Sequence, residues 1–205
     1  MTSVTLARVV IVTPLRKGDR TRARLLEISV RRFAADGYRR TSMSEIAREA
    51  GVSAAAVYGY FAGKEGLFEA AVDADAEALI DGALAAVGGA AGLEERWPML
   101  FDRLVGGLEE HPLARRVLAG HEPEIIERIV ALPSLIELRA TIAGALQAAQ
   151  DGGRLRPDVD PLTMATGLET IVVSLLISHL RTPLEDADRW AGVLAVLHAA
   201  LDPRP

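Results

Sequence analysis

The sequence predicts an all-α protein, and three observations support that fold class. Half of the 205 residues are hydrophobic but only 4% are aromatic, and the strong helix formers Ala and Leu are prominent. Apolar residues recur at helical spacing, and no segment alternates convincingly as a strand does. The length suits one large domain, or a small domain followed by a medium one.

Composition and motifs argue against several function classes. The chain has no cysteine, which excludes disulfides, thiolate zinc sites and cysteine nucleophiles and fits a reducing cytoplasm. We find no Gly-rich phosphate loop, no GxSxG, no HExxH and no nucleophile–base pattern around the four histidines. The sequence therefore predicts neither an enzyme nor a cofactor. His111, His121, Glu122 and Glu124 are too loosely spaced to predict a metal site.

Charge is unevenly distributed along the chain. Residues 1–68 hold 12 Lys/Arg against 6 Asp/Glu, whereas residues 69–205 hold 11 against 22. This asymmetry suggests that the N-terminal end meets a polyanion; a chance excess of solvated arginines is the alternative. Residues 1–18 lack the features of a targeting signal and are expected to be a flexible tail. The most apolar run, residues 171–177, is too short to span a membrane, and no membrane partner is expected.

The spacing of apolar residues, together with residues that typically start or stop helices, predicts the first two helices. A helix over residues 19–36 places five residues on one face and ends at Gly37; these are Leu25, Leu26, Ser29, Val30 and Phe33. The next helix follows Thr41 and Ser42, and Ser42 and Glu45 have capping-box spacing. Its apolar face consists of Met43, Ile46, Ala47 and Ala50.

The remaining helices follow in order. Gly51-Val52-Ser53 interrupts the second helix, and Ser53 is expected to cap a third helix from Ala54 to about Phe61. A fourth helix runs from about Lys64 towards Val87. Further helices are predicted at about 93–110, 113–120, 123–131, 134–150, 161–181 and 185–201.

Two short helices joined by a glycine-containing turn form a helix-turn-helix. Ala47 is small where the two helices approach, Gly51 permits a left-handed turn, and Val57 fills the angle between the helices. A packing corner in a helical bundle would show the same pattern, so the motif alone leaves both possibilities open.

The flanking residues carry a more specific resemblance. The run TSMSEIAREAGVS (41–53), then VYGYF (57–61), then Lys64-Glu65 and Leu67-Phe68, resembles the N-terminal domain of TetR-family transcriptional regulators over about residues 20–70. The resemblance implies an all-α homodimer in which N-terminal helix-turn-helix domains bind a palindromic double-stranded DNA operator. C-terminal domains would dimerise and hold a small-molecule effector. The implied division is a tail at 1–18, a DNA-binding domain at 19–66 and a ligand-binding and dimerisation domain at 67–205.

By that resemblance, eleven residues are predicted to contact DNA. They are Ser42, Ser44, Arg48, Ser53, Ala54, Ala55, Ala56, Tyr58, Gly59, Tyr60 and Lys64. The three alanines stand where family members often carry polar residues. Because an alanine side chain has no hydrogen-bonding group, it cannot make a bidentate contact to a base. The alanines can touch thymine methyl groups and allow close approach to the groove floor. An alternative is a helical interaction protein whose helix-turn-helix no longer reads DNA.

Effector and dimer contacts are predicted in the C-terminal part. The effector candidates are Trp97, Phe101, Arg103, His121, Met164 and Leu168; aromatic and Met side chains at helical spacing are also common core residues. The dimer candidates are Ile171, Leu175, Ser178, Trp190, Leu194 and Leu197. They lie on the last two predicted helices, which could form a four-helix interface with a symmetry mate or an ordinary monomeric core. By the resemblance, the expected protein is a cytoplasmic repressor that a small, largely apolar effector releases from its palindromic operator.

Overall fold

The computed structural model describes residues 17–88, 93–126 and 129–181, together with residues 192, 193, 195, 196 and 199. Every secondary-structure element assigned within this part of the chain is helical, which confirms the predicted all-α fold class. The helices form an N-terminal head, built from the first three helices and the start of the fourth, and a larger body that follows it.

Helix α1 spans Lys17–Arg40, and its helical geometry breaks at Gly37, where φ is 79° and ψ is 166°. Gly37 thus occupies the position at which the sequence predicts the helix to stop. Upstream, Leu25, Ile28 and Phe33 are buried, in agreement with an apolar face against the head core. Ser29 is also buried, and its hydroxyl donates to the Leu25 carbonyl at 2.7 Å, so its polar group is satisfied.

Helices α2 (Met43–Ala50) and α3 (Ala54–Tyr58) form the helix-turn-helix. Gly51 has φ 71° and ψ 30°, the left-handed conformation predicted for this turn. The N–H groups of Gly51 and Val52 donate to the carbonyls of Arg48 and Ala47, which closes the end of α2. Ala47 and Val57 are almost completely buried where the two helices meet. Small and β-branched side chains at this point permit the close approach.

Helix α4 spans Gly63–Val87 and belongs to both parts of the fold. Its first turns complete the head core, where the Phe68 ring lies 4.9 Å from the Phe33 ring and 5.0 Å from the Tyr38 ring, centroid to centroid. Its later turns pack in the body. The helix is therefore continuous across both parts of the fold.

The body is built from α5 (Leu93–Gly107), α6 (Pro112–Leu118), α7 (Pro123–Ile126), a 3-10 turn (Ile129–Ala131), α8 (Pro133–Asp151) and α9 (Pro161–Arg181). Two aspartates of α4 hold the N-termini of two of these helices. Asp75 accepts from the N–H groups of Leu113 and Ala114 in α6, and Asp73 accepts from the N–H of Ser134 in α8.

Helices α8 and α9 pack against each other. Arg139 of α8 donates twice to the buried carboxylate of Glu169 in α9, at 2.9 Å from Nη2 to Oε1 and through Nε to Oε2. By length and composition alone, α9 is long and apolar enough to cross a membrane, longer than the apolar run noted in the sequence. Leu168, Val172 and Leu176 are nevertheless buried in the body, as in a core helix of a helical domain.

The helix boundaries agree with the sequence predictions to within a few residues, with two exceptions. Helix α3 ends at Tyr58 rather than Phe61, because the Gly59 N–H donates to the Ala56 carbonyl and tightens the last turn. The helix predicted over 123–131 is divided into α7 and the 3-10 turn. The helix predicted over 185–201 lies largely outside the described residues.

Candidate nucleic-acid interface and internal cavities

Helix α3 presents one face to solvent and the other to the core. Val57 is fully buried, whereas Ala54, Ala55 and Gly59 are exposed and Tyr58 has 60% of its surface accessible. Ala56 lies at the margin between the two faces. The structure therefore brings most of the predicted recognition residues onto one open surface, which consists of small side chains beside one phenol.

Ser53 fixes the start of this helix. Its backbone is extended, with φ −73° and ψ 152°, and its hydroxyl oxygen accepts from the Ala56 N–H at 3.2 Å. This confirms the predicted N-cap, which satisfies one of the unpaired N–H groups of a very short helix.

Helix α2 carries the second row of predicted DNA contacts, Ser44 and Arg48, and both are exposed. The Ser42 hydroxyl lies 2.7 Å from the Ser44 hydroxyl and makes no capping bond to the helix backbone. The predicted capping box between Ser42 and Glu45 is therefore absent in this structure, because the Ser42 side chain pairs with its neighbour on the outer surface instead.

Tyr60 and Lys64 follow α3 at the junction with α1 and α4. Tyr60 is 36% exposed. The Lys64 ammonium donates to the Arg39 carbonyl at 3.2 Å and lies 4.7 Å from the centroid of the Tyr38 ring. Lys64 thus holds the end of α1 in this structure, so a phosphate contact would require its side chain to exchange these partners.

An ion-pair cluster joins α1 to α2 behind the exposed surface. Arg32 Nε and Arg31 Nη2 donate to the two carboxylate oxygens of Glu49, at 2.8 Å and 3.0 Å. These hydrogen bonds, that from Arg32 foremost, hold the pKa of Glu49 below its ordinary value. The cluster links the surfaces of the two helices and engages two arginines of the basic N-terminal end.

The body contains an apolar cavity of about 60 Å³, here called the central cavity. Its walls come from α4, α5, α6, α8, α9 and the 3-10 turn, and they include Leu79, Val117, Leu135 and Val172. Among the lining residues that the structure describes, Glu169 is the one with a charged side chain, and its carboxylate is paired with Arg139. The cavity therefore suits hydrocarbon rather than a charged group.

A second cavity of about 240 Å³ lies between the end of α4, the start of α5 and the middle of α8. Leu84 and Val87 of α4, Trp97 and Leu100 of α5, and Ile142 of α8 form most of its wall. We call it the Trp97 pocket.

The six predicted effector residues do not converge on one site. Trp97 lines the Trp97 pocket, and Arg103 lines a surface groove with His111. His121 is exposed beside the end of α1. Phe101, Met164 and Leu168 pack in the core of the body without lining either cavity. None of the six lines the central cavity, which is built mainly from aliphatic residues whose inward direction is hard to read from sequence alone.

Three of the six predicted dimer residues belong to the part of the chain that the structure describes, and three do not. Ile171, Leu175 and Ser178 are half-buried on α9, and they keep accessible surface in the isolated chain. Trp190, Leu194 and Leu197 lie outside the described residues.

A contact between head and body was missed by sequence reasoning. Glu122, which follows α6, is buried; it accepts from Arg116 Nε and from the Tyr38 N–H, the latter at 3.2 Å to Oε2. Gly37 adjoins this contact so closely that an added Cβ would lie 2.6 Å from Arg116 Nη2. We call this contact the Glu122 bridge. Its partners are 84 residues apart in sequence, so no local pattern indicates it.

His111 also has a structural partner. Its Nδ1 lies 3.1 Å from Asp75 Oδ1, on the carboxylate that caps α6. Thus His111 and Glu122 are both placed in contacts that fasten α6, one to α4 and the other to the end of α1.

Comparisons with known proteins agree with this architecture. The family model described as bacterial regulatory proteins, tetR family, matches residues 25–71. A comparison with curated proteins gives no match.

Solved structures extend the likeness to most of the chain. A Rhodococcus sp. protein described as a TetR-family transcriptional regulator has a TM-score of 0.65 at 22% identity, over 89% of this chain and 98% of its own. A Mesorhizobium loti protein described in the same way has a TM-score of 0.63 at 22% identity, over 92% and 100%. A TetR-family transcription regulator from Marinobacter aquaeolei VT8 has a TM-score of 0.54 at 27% identity, over 89% and 96%. Residues 25–71 are therefore a TetR-family helix-turn-helix domain, and the chain as a whole has the fold of TetR-family transcriptional regulators.

Proposed function

We propose that the protein is a cytoplasmic repressor that binds a palindromic operator as a homodimer and releases it when a small, largely apolar effector binds the body. The main support for this proposal is the position of α6, which contacts both the central cavity and the head. Its residues Val117 and Leu118 line the central cavity, and Arg116 on the same helix joins the Glu122 bridge to the head. We assign the protein no catalytic activity.

The exposed face of α3 supports the DNA-binding part of the proposal. A helix that enters the major groove needs an open, unobstructed face, and Ala54, Ala55 and Tyr58 are all exposed. The alanines would let the helix backbone approach the groove floor and contact thymine methyl groups, while the Tyr58 hydroxyl supplies a donor or acceptor. Ser44 and Arg48 on α2 would contribute the adjoining contacts.

The methyl contacts can be tested separately. Ala54→Gly and Ala55→Gly should each reduce the preference for the operator over random duplex, with a smaller effect on nonspecific affinity, since base-edge contacts carry the sequence information. Tyr58→Phe is the matched variant that removes only a hydroxyl. An unchanged preference in both glycine variants, together with a lost preference in Tyr58→Phe, would show that the methyl groups are not read.

Release of DNA would follow from the same geometry. An effector that enlarges the central cavity displaces α6, because three side chains of that helix, Ala114, Val117 and Leu118, form part of the wall. Displacement of α6 moves Arg116 and with it the Glu122 bridge, which holds the Tyr38 backbone at the end of α1. The spacing of the two heads in a dimer would then change, and a palindrome fixes that spacing.

The proposal is tested by selection of bound fragments from genomic DNA, followed by salt titration of binding to the selected site and to random duplex. A regulator should bind one site tightly, and its affinity should fall steeply as salt increases. An Arg48→Ala variant should bind the selected site more weakly while folding normally. Absence of binding even at low salt would overturn the proposal and favour a helical interaction protein with a degenerate helix-turn-helix.

A further inference from the structure

One guanidinium on α8 ties three elements of the body together. Arg139 donates through Nη2 and Nε to the two carboxylate oxygens of Glu169 on α9, and its Nη2 also donates to the Val130 carbonyl of the 3-10 turn, at 3.2 Å. We call these contacts the Arg139 clamp. Hydrogen bonds between ionised partners are stronger than neutral ones, so the clamp holds α9 and the 3-10 turn against α8.

The elements that the clamp joins form one side of the central cavity. Ile129 of the 3-10 turn, Leu132 directly after it, Leu135 of α8, and Glu169 and Val172 of α9 all line the cavity. The clamp therefore fastens the 3-10 turn, α8 and α9 to one another at a wall that they share.

The clamp lies on the solvent side of that wall. Glu169 is buried and lines the cavity, whereas Arg139 lies outside the lining and keeps 24% of its side-chain surface accessible. The 3-10 turn shows the same order, because Ile129 is buried against the cavity while Val130, whose carbonyl accepts from Arg139, is 56% exposed. From the cavity outward, the wall residues come first, then the guanidinium, then solvent.

The 3-10 turn is the part of this wall with the least structure of its own. It is a single turn of three residues, Ile129–Ala131, and the Leu132 N–H closes it by donating to the Ile129 carbonyl at 3.1 Å. A short 3-10 segment has few hydrogen bonds to lose and opens at a lower free energy than a long helix. Release of Arg139 would let the turn separate from α8 and α9 while both helices stay intact.

We propose that the Arg139 clamp is an entry gate of the central cavity, through which a small apolar molecule passes when the 3-10 turn separates from α8 and α9. Arg139 is a positioning residue in this device. It sets how fast the molecule enters and leaves, without contacting the molecule once it is bound. The use of the gate by an effector rests on the proposed function; the gate itself does not.

Xenon tests the gate, because it is a single apolar atom that apolar protein cavities bind. The full chain, labelled with 13C at the methyl groups of Leu and Val, reports each cavity separately. Val117, Leu135 and Val172 report the central cavity, and Val87 reports the Trp97 pocket. Methyl line shapes under increasing xenon pressure give the affinity and the exchange rate at each site.

Two variants open the clamp in different ways. Glu169→Gln keeps the side-chain volume in the wall and removes the charge. The double variant R139M/E169M also removes the bond to the Val130 carbonyl, and replacement of a buried ion pair by apolar side chains is often neutral for stability. In both proteins xenon exchange at the central cavity should accelerate by about tenfold or more, which corresponds to loss of one hydrogen bond to a charged group. Xenon affinity should stay nearly unchanged, because a lower barrier speeds entry and exit equally.

Arg115→Ala is the matched control, since Arg115 pairs with Glu109 at the surface of α6, at 3.4 Å, and does not line the cavity. It should leave both rates unchanged, and the rate at Val87 should be the same in all four proteins. The inference would be overturned by equal exchange rates in wild type and both clamp variants, or by an equally large acceleration at Val87. A xenon response at the central cavity in none of the proteins, or a changed affinity without a changed rate, would overturn it as well.

The xenon measurement needs no DNA, which separates the gate from the proposed function. Accelerated exchange in a protein for which fragment selection yields no operator supports the gate and contradicts the proposed function. Unchanged exchange in a protein that binds its operator contradicts the gate and leaves the proposed function standing.

Discussion

At the scale of single residues, Gly37 combines a backbone conformation that L side chains avoid with a close approach of the body. Its φ is 79° and its ψ is 166°, and an added Cβ would lie 2.6 Å from Arg116 Nη2 and 2.9 Å from Glu122 Oε1. Gly37→Ala should therefore lower the free energy of unfolding by about 2–4 kcal/mol, from backbone strain and loss of the Glu122 bridge.

Gly51→Ala is the control for a positive φ without a crowded Cβ, since Gly51 has φ 71° and ψ 30° and no atom lies within 4 Å of the added Cβ. Its left-handed backbone costs an L side chain less than the φ and ψ of Gly37 do. Gly51→Ala should cost only the backbone strain, about 1–2 kcal/mol. Urea unfolding of both variants gives the comparison. Equal losses would show that the Glu122 bridge contributes nothing to stability at Gly37.

Ser53 provides a second test at this scale. Its hydroxyl caps α3 through the Ala56 N–H at 3.2 Å, so Ser53→Ala should lower stability by about 1 kcal/mol, the usual contribution of an N-cap. Ser42→Ala is the control, because Ser42 occupies the N-cap position of α2 without a capping bond. Thermal unfolding should show a clear decrease for the first variant and little change for the second; the reverse order would contradict the cap assignment.

At the scale of helices, α1 and α2 are held together by the pairs from Arg31 and Arg32 to Glu49. Because these pairs lower the pKa of Glu49 in the folded protein, their stabilisation is present above the ordinary value of 4.5 and is lost as the pH falls through the lowered folded value. Wild type should therefore unfold at a higher temperature than Glu49→Gln near neutral pH, by a small margin that disappears in acid and shrinks at high salt.

Glu77→Gln, at an exposed position on α4, is the control for loss of a carboxylate and should show no such pH-dependent difference. Thermal melts of the three proteins from pH 7 to pH 3 provide the measurement. A Glu49→Gln effect that persists unchanged at pH 3 would contradict the ionic origin of the contact.

The same scale shows what the sequence can and cannot predict. Three features that depend on neighbours in the chain were predicted correctly, because the stop at Gly37, the left-handed Gly51 and the Ser53 cap all follow from local backbone chemistry. The capping box between Ser42 and Glu45, also a local feature, was predicted wrongly, since the Ser42 hydroxyl pairs with Ser44 instead.

Features that depend on distant partners were not predicted. In the sequence, Asp75 is not distinguished from the other acidic residues of α4, but in the structure it accepts hydrogen bonds from the N-terminus of α6. Glu122 belongs to a loosely spaced His/Glu group in the sequence, but in the structure it accepts from the Tyr38 N–H. Inward-facing aliphatic residues such as Val117 carry no signal that separates a cavity wall from a packed core.

At the scale of the whole molecule, α9 has more apolar surface than the body covers. Leu168, Val172 and Leu176 are buried, while Ile171 and Leu175 keep part of their surface accessible. Apolar surface of this kind favours burial against a second copy of the chain. A head that reads half of a palindrome also needs a partner at a fixed distance, so dimer formation and operator binding should be lost together.

Leu175→Glu tests this link, because a carboxylate at the centre of an isologous interface faces its own symmetry mate and is desolvated without a counter-ion. The variant should sediment as a monomer and lose at least about tenfold in operator affinity, which corresponds to about 1.4 kcal/mol. Met99→Glu, on α5 at a position that is 40% exposed, is the control for adding a surface carboxylate and should remain dimeric. Analytical ultracentrifugation and operator titration, with circular dichroism to verify folding, give the result. A folded Leu175→Glu protein that stays dimeric would place the dimer interface elsewhere than on α9.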